Sequence, residues 1–154
     1  MRAFTLTEVL ITLFIVTLLA GGIFAVTNIA ILSWNANRAM LELVQEVRQT
    51  MDGMIREIRQ SNSNLPPPGS SEFEFSIPDV TNKIKYYRNN DTRQLIREHP
   101  PGTKRVLANN INDLKFDSDS LYPRVLKITI TANKMIRNTP YSFSLTEEVW
   151  LRNE

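Results

Sequence analysis

The 154-residue chain contains no cysteine and only one histidine, His99. It can therefore form no disulfide, no thiolate metal site and no cysteine nucleophile, and histidine-rich metal clusters are excluded as well. A histidine-dependent catalytic triad would depend on His99 alone, which directly precedes two prolines. No glycine-rich phosphate loop and no recognisable nucleophile motif occurs in the sequence. We therefore expect a protein that is not an enzyme and that binds no metal or other cofactor.

Charged residues are almost absent from the N-terminal quarter of the chain. None occurs between Val9 and Asn37, and most of residues 9–32 are apolar. This run is longer than the roughly 20 residues that a helix needs to cross a bilayer, so we predict a transmembrane helix over about residues 9–32. Arg2 lies before the run, and the positive-inside tendency places that end in the cytoplasm. We therefore expect a single-pass membrane protein whose C-terminal domain lies outside the cytoplasm.

The apolar pattern continues beyond this span with helical spacing. Over about residues 38–60, apolar residues recur every three or four positions between charged ones, which predicts an amphipathic helix. They are Met40, Leu43, Val44, Val47, Met51, Met54, Ile55 and Ile58. Because no proline occurs between residues 4 and 64, we predict one continuous helix over residues 4–61. Gly21 and Gly22 mark a possible bend in it, since glycine is a weak helix former.

A proline-rich segment ends the helical pattern, and an alternation with period two follows. Residues 62–71 contain three consecutive prolines among serines and asparagines and are predicted to be a linker. In residues 72–154 apolar and polar side chains alternate, which predicts half-buried strands. The apolar members include Phe73, Phe75, Ile77, Ile84, Tyr86, Leu126, Ile128, Ile130 and Ala132. Residues 89–92 predict a turn between two such runs.

The last apolar face of the chain contains one charged residue. Glu147 interrupts a series that consists of Tyr141, Phe143, Leu145, Val149 and Leu151. A sheet with an apolar face needs a cover, and the amphipathic helix is the available one. The predicted fold is therefore α+β: a long N-terminal helix, half transmembrane and half packed on a small antiparallel β-sheet.

The start of the chain carries a specific motif. Residues 4–11 read Phe-Thr-Leu-Thr-Glu-Val-Leu-Ile and lead directly into the apolar run. This string resembles the cleavage and assembly signature of type IV pilins and pseudopilins. The resemblance implies a pilin-like fold, a leader peptide over residues 1–3, cleavage by a prepilin peptidase between Ala3 and Phe4, and methylation of the new Phe4 amine. It also implies that Glu8 acts in assembly with other pilin or pseudopilin subunits.

Glu8 is the acidic residue on which this resemblance depends. An ionised carboxylate on a lipid-exposed helix costs about 2 to 3.5 kcal/mol, so Glu8 needs a partner. The resemblance implies the N-terminal amine of a neighbouring subunit, here that of Phe4. A second interpretation is a capping box between Thr5 and Glu8, and the two can hold together. A secretory signal peptide is a third interpretation of the apolar run, but an acidic start and an uncharged span of more than about 25 residues fit it poorly.

Two further features refine the resemblance. The family usually has glycine before the cut, whereas this chain has Ala3, the next smallest residue. Residues 107–116 and 149–153 resemble the later strands and the ending of minor pilins and of the larger minor pseudopilins of type II secretion. Together with the chain length, this implies a minor pilin or pseudopilin. The alternative is a membrane-anchored extracytoplasmic binding domain that never polymerises.

A basic region lies between Lys83 and Arg105. This segment contains seven basic residues but only two acidic ones, and tyrosines lie nearby in the sequence. Arg88, Arg93 and Arg97 could therefore contact DNA, as a competence-type DNA-uptake minor pilin would require. Charge that keeps the edge of a hairpin soluble explains the same pattern more simply, so nucleic acid is not expected as a partner.

Three aspartates in a short segment suggest a weaker possibility. Asp113, Asp117 and Asp119 could supply oxygen ligands to calcium. The segment lacks the glycine and the terminal glutamate of a calcium loop. A turn with solvated carboxylates is the favoured interpretation, and we expect no metal there.

Overall fold

The computed structural model describes residues 5–61, 64–78, 80–118, 122, 124–136 and 138–151. Within them the chain forms one helix, α1 (Leu6–Ile58), followed by strands. The strands are β1 (Glu72–Phe75), β2 (Ile84–Asn89), β3 (Gln94–Glu98), β4 (Lys104–Ala108), β5 (Ile111–Ser118), β6 (Val125–Ile136) and β7 (Thr139–Trp150). Every pairing between these strands is antiparallel. The predicted α+β class is confirmed.

The chain divides into two compact units, residues 1–39 and residues 40–154. In the first unit every side chain from Thr5 to Asn35 is exposed, although most of them are apolar. α1 is long and apolar enough to cross a membrane. An apolar helix surface of this extent is unfavourable in water, so its composition suits a lipid environment.

The ends of α1 differ slightly from the predicted bounds of residues 4–61. The helix begins at Leu6, directly after Thr5, and Phe4 lies outside the described residues. It ends at Ile58, three residues before the predicted end. The amides of Gln60 and Ser61 bond to carbonyls three residues back, at 3.1 and 2.9 Å, which tightens the last turn. Residues 64–71 of the predicted linker contain one isolated strand bridge, at Ser70.

The second unit contains two sheets, whereas one small sheet was predicted. The first has the strand order β1-β2-β3-β4 and the second the order β5-β6-β7. A bridge between Ser70, just before β1, and Phe116 of β5 links the two, with the Phe116 amide 2.8 Å from the Ser70 carbonyl. The prediction was incomplete because alternation along a strand shows which side chains face the core but not which strand lies beside it.

One core joins both sheets to the C-terminal part of α1. Residues at three- and four-residue spacing in the helix are buried, namely Leu43, Val47, Met51, Met54 and Ile58. They pack against the apolar faces of the strands. Phe73 of β1 lies 5.2 Å from Phe75 and 5.7 Å from Phe116 of β5, measured between ring centres. These aromatic contacts bury the junction between the two sheets.

Candidate functional site

The start of α1 is organised around Thr5 and Glu8. The Glu8 Oε2 atom accepts hydrogen bonds from the Thr5 amide and from the Thr5 hydroxyl, each at 3.0 Å. In return, the Glu8 amide lies 3.4 Å from Thr5 Oγ1. This reciprocal pattern is a capping box, in which two side chains satisfy backbone amides that the first turn leaves unbonded. The second interpretation of Glu8 is therefore present in the structure.

The capping box leaves part of the Glu8 carboxylate unused. Both of its hydrogen bonds end on Oε2, and among the described residues no donor reaches Oε1. The side chain is exposed. Oε1 is therefore accessible to a donor from another chain, such as an amine, without loss of the cap.

Several polar side chains that follow Glu8 form hydrogen bonds within the helix. Thr17 and Thr27 donate to the carbonyls of Phe14 and Ile23, each at 2.8 Å, and Asn28 donates to the carbonyl of Phe24 at 2.9 Å. Such bonds let hydroxyl and amide groups lie in an apolar environment at little cost. Glu8 is the one charged residue between Thr5 and Asn37. It is thus the group in this segment with the greatest need of a polar partner.

The other sequence-predicted residues of this region are placed as follows. Ala3 and Phe4, the predicted processing site, lie outside the described residues. Gly21 and Gly22 lie within α1, which is helical through both of them. A β-carbon at either glycine would contact no other atom within 4 Å. Neither glycine is therefore required by close packing within this chain.

Two of the three arginines proposed for DNA contact have partners within the domain. Arg97 pairs with Glu57, with 3.0 Å between Nε and Oε2, and Arg88 donates from Nε to the Ile111 carbonyl at 3.1 Å. Arg93 lies in the turn between β2 and β3 with a φ of 52°. Two of the three guanidinium groups are thus engaged inside the domain, which removes donors that a phosphate backbone would use.

The remaining candidates are not brought together either. Asp113 pairs with Lys115 at 2.9 Å, and Asp117 accepts a bond from the Gly69 amide at 2.6 Å. Asp119 lies outside the described residues. Within the described ranges no group of three or more histidine or acidic residues is placed to hold a metal ion. His99 lies between β3 and β4, with Nδ1 3.4 Å from the Lys83 carbonyl oxygen.

A polar cleft in the second unit was not predicted from the sequence. It lies between α1 and strands β2 to β4, has a volume of about 500 Å³, and includes Glu57, Tyr86, Arg97 and Arg105 in its walls. Glu57 Oε2 accepts bonds from the Tyr86 hydroxyl at 2.8 Å and from Arg97 Nε at 3.0 Å. One signal in the sequence could have found this cleft. Arg97 lies two residues from buried Leu95, and since alternate residues of a strand point to the same face, Arg97 lies on the core side of β3.

No protein-family model, curated protein or solved structure matches this chain. Its function is therefore inferred from its own residues. Glu8 at the start of the apolar helix and the polar cleft of the second unit are the two places where charge lies in an unusual setting.

Proposed function

We propose that the chain is a structural subunit of a type IV pilus or of a type II secretion pseudopilus, and that it is assembled through α1. The observation that supports this most directly is the carboxylate of Glu8, which lies at the start of an exposed apolar helix. No donor from the described residues reaches its Oε1 atom. A soluble protein gains nothing from such a helix. In a fibre of packed helices, the apolar surface is covered and the carboxylate receives a positive partner.

The proposed maturation follows the resemblance of residues 4–11. A prepilin peptidase would remove residues 1–3 by cutting between Ala3 and Phe4, and the Phe4 amine would be methylated. The mature N-terminus then carries a positive charge four residues before Glu8. In a staggered row of helices, the amine of one subunit can reach the Glu8 Oε1 of the next. The paired charges fix the register between neighbouring helices.

The proposed location combines both units. The helix spans the inner membrane, with Arg2 on the cytoplasmic side in the precursor, and residues 40–154 lie outside the cytoplasm. The sheets then form the surface of the assembled fibre. The likeness of residues 107–116 and 149–153 to later strands of minor pilins supports a minor subunit.

A non-polymerising membrane-anchored binding domain is the second candidate. The capping box favours it, because Thr5 already provides two donors to Glu8 within the same chain. In that case Glu8 stabilises the first turn of the helix and needs no second chain. The two candidates therefore differ in whether the charge of Glu8 is required.

Two substitutions separate the charge of Glu8 from its capping role. Glu8→Gln keeps a capping side chain but removes the charge, whereas Thr5→Val keeps the charge but removes the hydroxyl. In a cell with a prepilin peptidase and a pilus assembly system, we expect E8Q to be inserted and processed. Its amount in the sheared fibre fraction should fall about tenfold, as for loss of a charge-assisted contact.

The Thr5→Val variant is the matched control. It should stay within about twofold of the unmodified chain in the fibre fraction, since a lost cap costs only about 1 kcal/mol. Absence of the unmodified chain from the fibre fraction would favour the anchored domain. Equal amounts for E8Q and the unmodified chain would show that the charge is not used in assembly.

Intact-mass spectrometry tests the maturation step. With an active peptidase, the chain is expected to begin at methylated Phe4, and with an inactive peptidase it should keep Met1. Ala3→Leu should block the cut, because a bulky residue replaces a small one before the scissile bond. Cleavage of Ala3→Leu at the normal rate would contradict the assignment of this bond.

A further inference from the structure

The polar cleft of the second unit has an excess of positive charge that its own residues do not balance. Arg56 and Arg105 lie in its walls together with Arg97. One oxygen of each nearby carboxylate already accepts hydrogen bonds within the domain. Glu57 Oε2 accepts two hydrogen bonds, and Glu46 Oε1 accepts two from Asn109, at 2.8 and 3.1 Å. The cleft is thus suited to a carboxylate supplied from outside.

Arg105 is the guanidinium best placed to receive it. It lies on β4, an outer strand of the first sheet, and is exposed. Its side chain forms no hydrogen bond or ion pair with any residue in the described ranges. Its fork of N–H donors matches the two oxygens of a carboxylate.

Gly53 keeps the floor of the cleft open. It lies in the interior of α1, where glycine is disfavoured, and a β-carbon there would meet nothing within 4 Å. Thr50 of α1 donates to the Leu107 carbonyl at 3.2 Å and so connects the helix to β4 beside the cleft.

The same chain carries an unpaired carboxylate on an outer strand of its second sheet. Glu147 lies on β7, opposite Ile128 of β6, and on the same face of the strand as Leu145 and Val149. Its side chain is exposed and forms no hydrogen bond or ion pair with the other described residues. The neighbouring Glu148, by contrast, points to the opposite face and lies across from Lys127. Glu147 thus interrupts an apolar face and has no cation across the strand.

We propose that the cleft binds the Glu147 side chain of a second copy of this chain, with Arg105 as its partner. β4 and β7 are outer strands of different sheets, so the two surfaces differ and the contact is head-to-tail. Such a contact does not close on itself, and its repetition produces an open row of subunits. This inference rests on the proposed function, in which the chain assembles into a fibre. It adds a contact between the sheet domains to the contact between helices.

Disulfide trapping tests the contact directly, because the chain has no cysteine of its own. One tagged copy carries Gln49→Cys, in the cleft wall, and another carries Leu145→Cys, on the same face of β7 as Glu147. Both are full-length chains, expressed together in membranes with an active prepilin peptidase and oxidised there. We expect a mixed dimer that requires both cysteines. A second copy that carries Asp91→Cys, in the β2–β3 turn, instead of Leu145→Cys should not produce it.

Charge changes then test the chemistry. Arg105→Glu in the first copy or Glu147→Arg in the second should lower the mixed dimer about tenfold, and both changes together should restore it. Glu148→Arg, the matched control, should leave it within about twofold. An unchanged dimer in either single variant, or no recovery in the pair, would overturn the proposal and leave Glu147 as a charge that keeps the β7 edge from pairing.

The same samples distinguish this proposal from the proposed function. Processing at Phe4 is measured by intact mass, independently of the disulfide. A processed chain without the mixed dimer would refute the cleft contact and leave the fibre-subunit proposal intact. A mixed dimer formed by an unprocessed chain would support the contact but contradict the assigned maturation.

Discussion

Oε2 of Glu57 lies 3.0 Å from Nε of Arg97, and this contact joins the last turns of α1 to the middle of β3. The two residues are 40 positions apart in the chain. The Tyr86 hydroxyl, from β2, donates to the same oxygen at 2.8 Å. One carboxylate oxygen therefore connects the helix to two strands of the first sheet, and its removal should affect the whole second unit.

Glu57→Gln should destabilise the second unit. A glutamine at this position retains one oxygen acceptor but loses the charge that pairs with Arg97. Hydrogen bonds to charged groups contribute about 1.5–3 kcal/mol, and partial exposure of Glu57 places the expected loss near the lower figure. The free energy of unfolding can be measured by urea titration of the full chain in detergent micelles. Glu72→Gln, in an exposed pair with Lys85, is the control and should change it by less than about 0.5 kcal/mol.

The stability of the second unit should fall above about pH 10 because of Tyr86. Burial raises the pKa of the Tyr86 phenol above its ordinary value, and the hydrogen bond to Glu57 raises it further. Above about pH 10 an unfolded tyrosine releases its proton while folded Tyr86 keeps it, so the folded state binds more protons. The free energy of unfolding from this residue therefore declines as pH rises, by up to about 1.4 kcal/mol per pH unit.

Tyr86→Phe isolates this contribution. The variant lacks the titrating group and should show a shallower decline between about pH 10 and pH 11 in the same urea titrations. Tyr87→Phe, on the opposite face of β2, keeps Tyr86 and should retain the slope of the unmodified chain. Identical slopes for Tyr86→Phe and the unmodified chain would show that Tyr86 is not the responsible group.

Gly53→Ala should stabilise the helix. The residue lies in the interior of α1, and an added β-carbon meets nothing within 4 Å. Alanine is favoured over glycine there by about 0.5–1 kcal/mol. Gly69→Ala should have the opposite effect, because Gly69 has a φ of +77°, which is strained for a residue with a β-carbon. The urea concentration at the unfolding midpoint measures the stability of both variants. A lower midpoint for Gly53→Ala than for the unmodified chain would contradict the inference that there is open space at that position.

Arg93→Ala and Arg97→Ala should differ in stability. Arg97 is engaged by Glu57, and its loss leaves a partly buried carboxylate unpaired, which costs about 1–3 kcal/mol. Arg93 lies in an exposed turn, and truncation there should cost less than about 0.5 kcal/mol. Thermal unfolding of the two variants measures the difference. For the same reason only Arg93→Ala is an informative test of DNA binding, since Arg97→Ala disturbs the fold.

Several elements of the fold could be predicted from residue patterns. Eight apolar residues at helical spacing predicted the buried stripe of α1. Five of them are buried, and the other three, Met40, Val44 and Ile55, are partly buried. The alternation around Phe73, Tyr86 and Ile128 predicted strands that the structure contains. The predicted turn at residues 89–92 is confirmed, with Asn89 Oδ1 accepting bonds from the amides of Asp91 and Thr92. Patterns of this kind work because each depends on neighbours close in the chain.

The candidate sites depended more strongly on distant residues. Arg88, Arg93 and Arg97 form one basic group in the sequence, but in the structure Glu57 and the Ile111 carbonyl engage two of them. Glu8 was predictable as an anomaly, since a charge in an apolar run is visible without any fold. Its capping contact with Thr5 was predictable too, because both residues lie in one helical turn.

By itself the sequence determined where this chain is apolar, where it changes from helical to strand periodicity, and that Glu8 is the lone charge in its apolar segment. These are properties of local order, set by side-chain chemistry and by backbone periodicity. Only the tertiary structure decided that the strands form two sheets, that Glu57 engages Tyr86 and Arg97, and that Arg105 and Glu147 remain unpaired on different outer strands. Those relationships follow from which strands become neighbours, and strand pairing brings together residues that no local pattern connects.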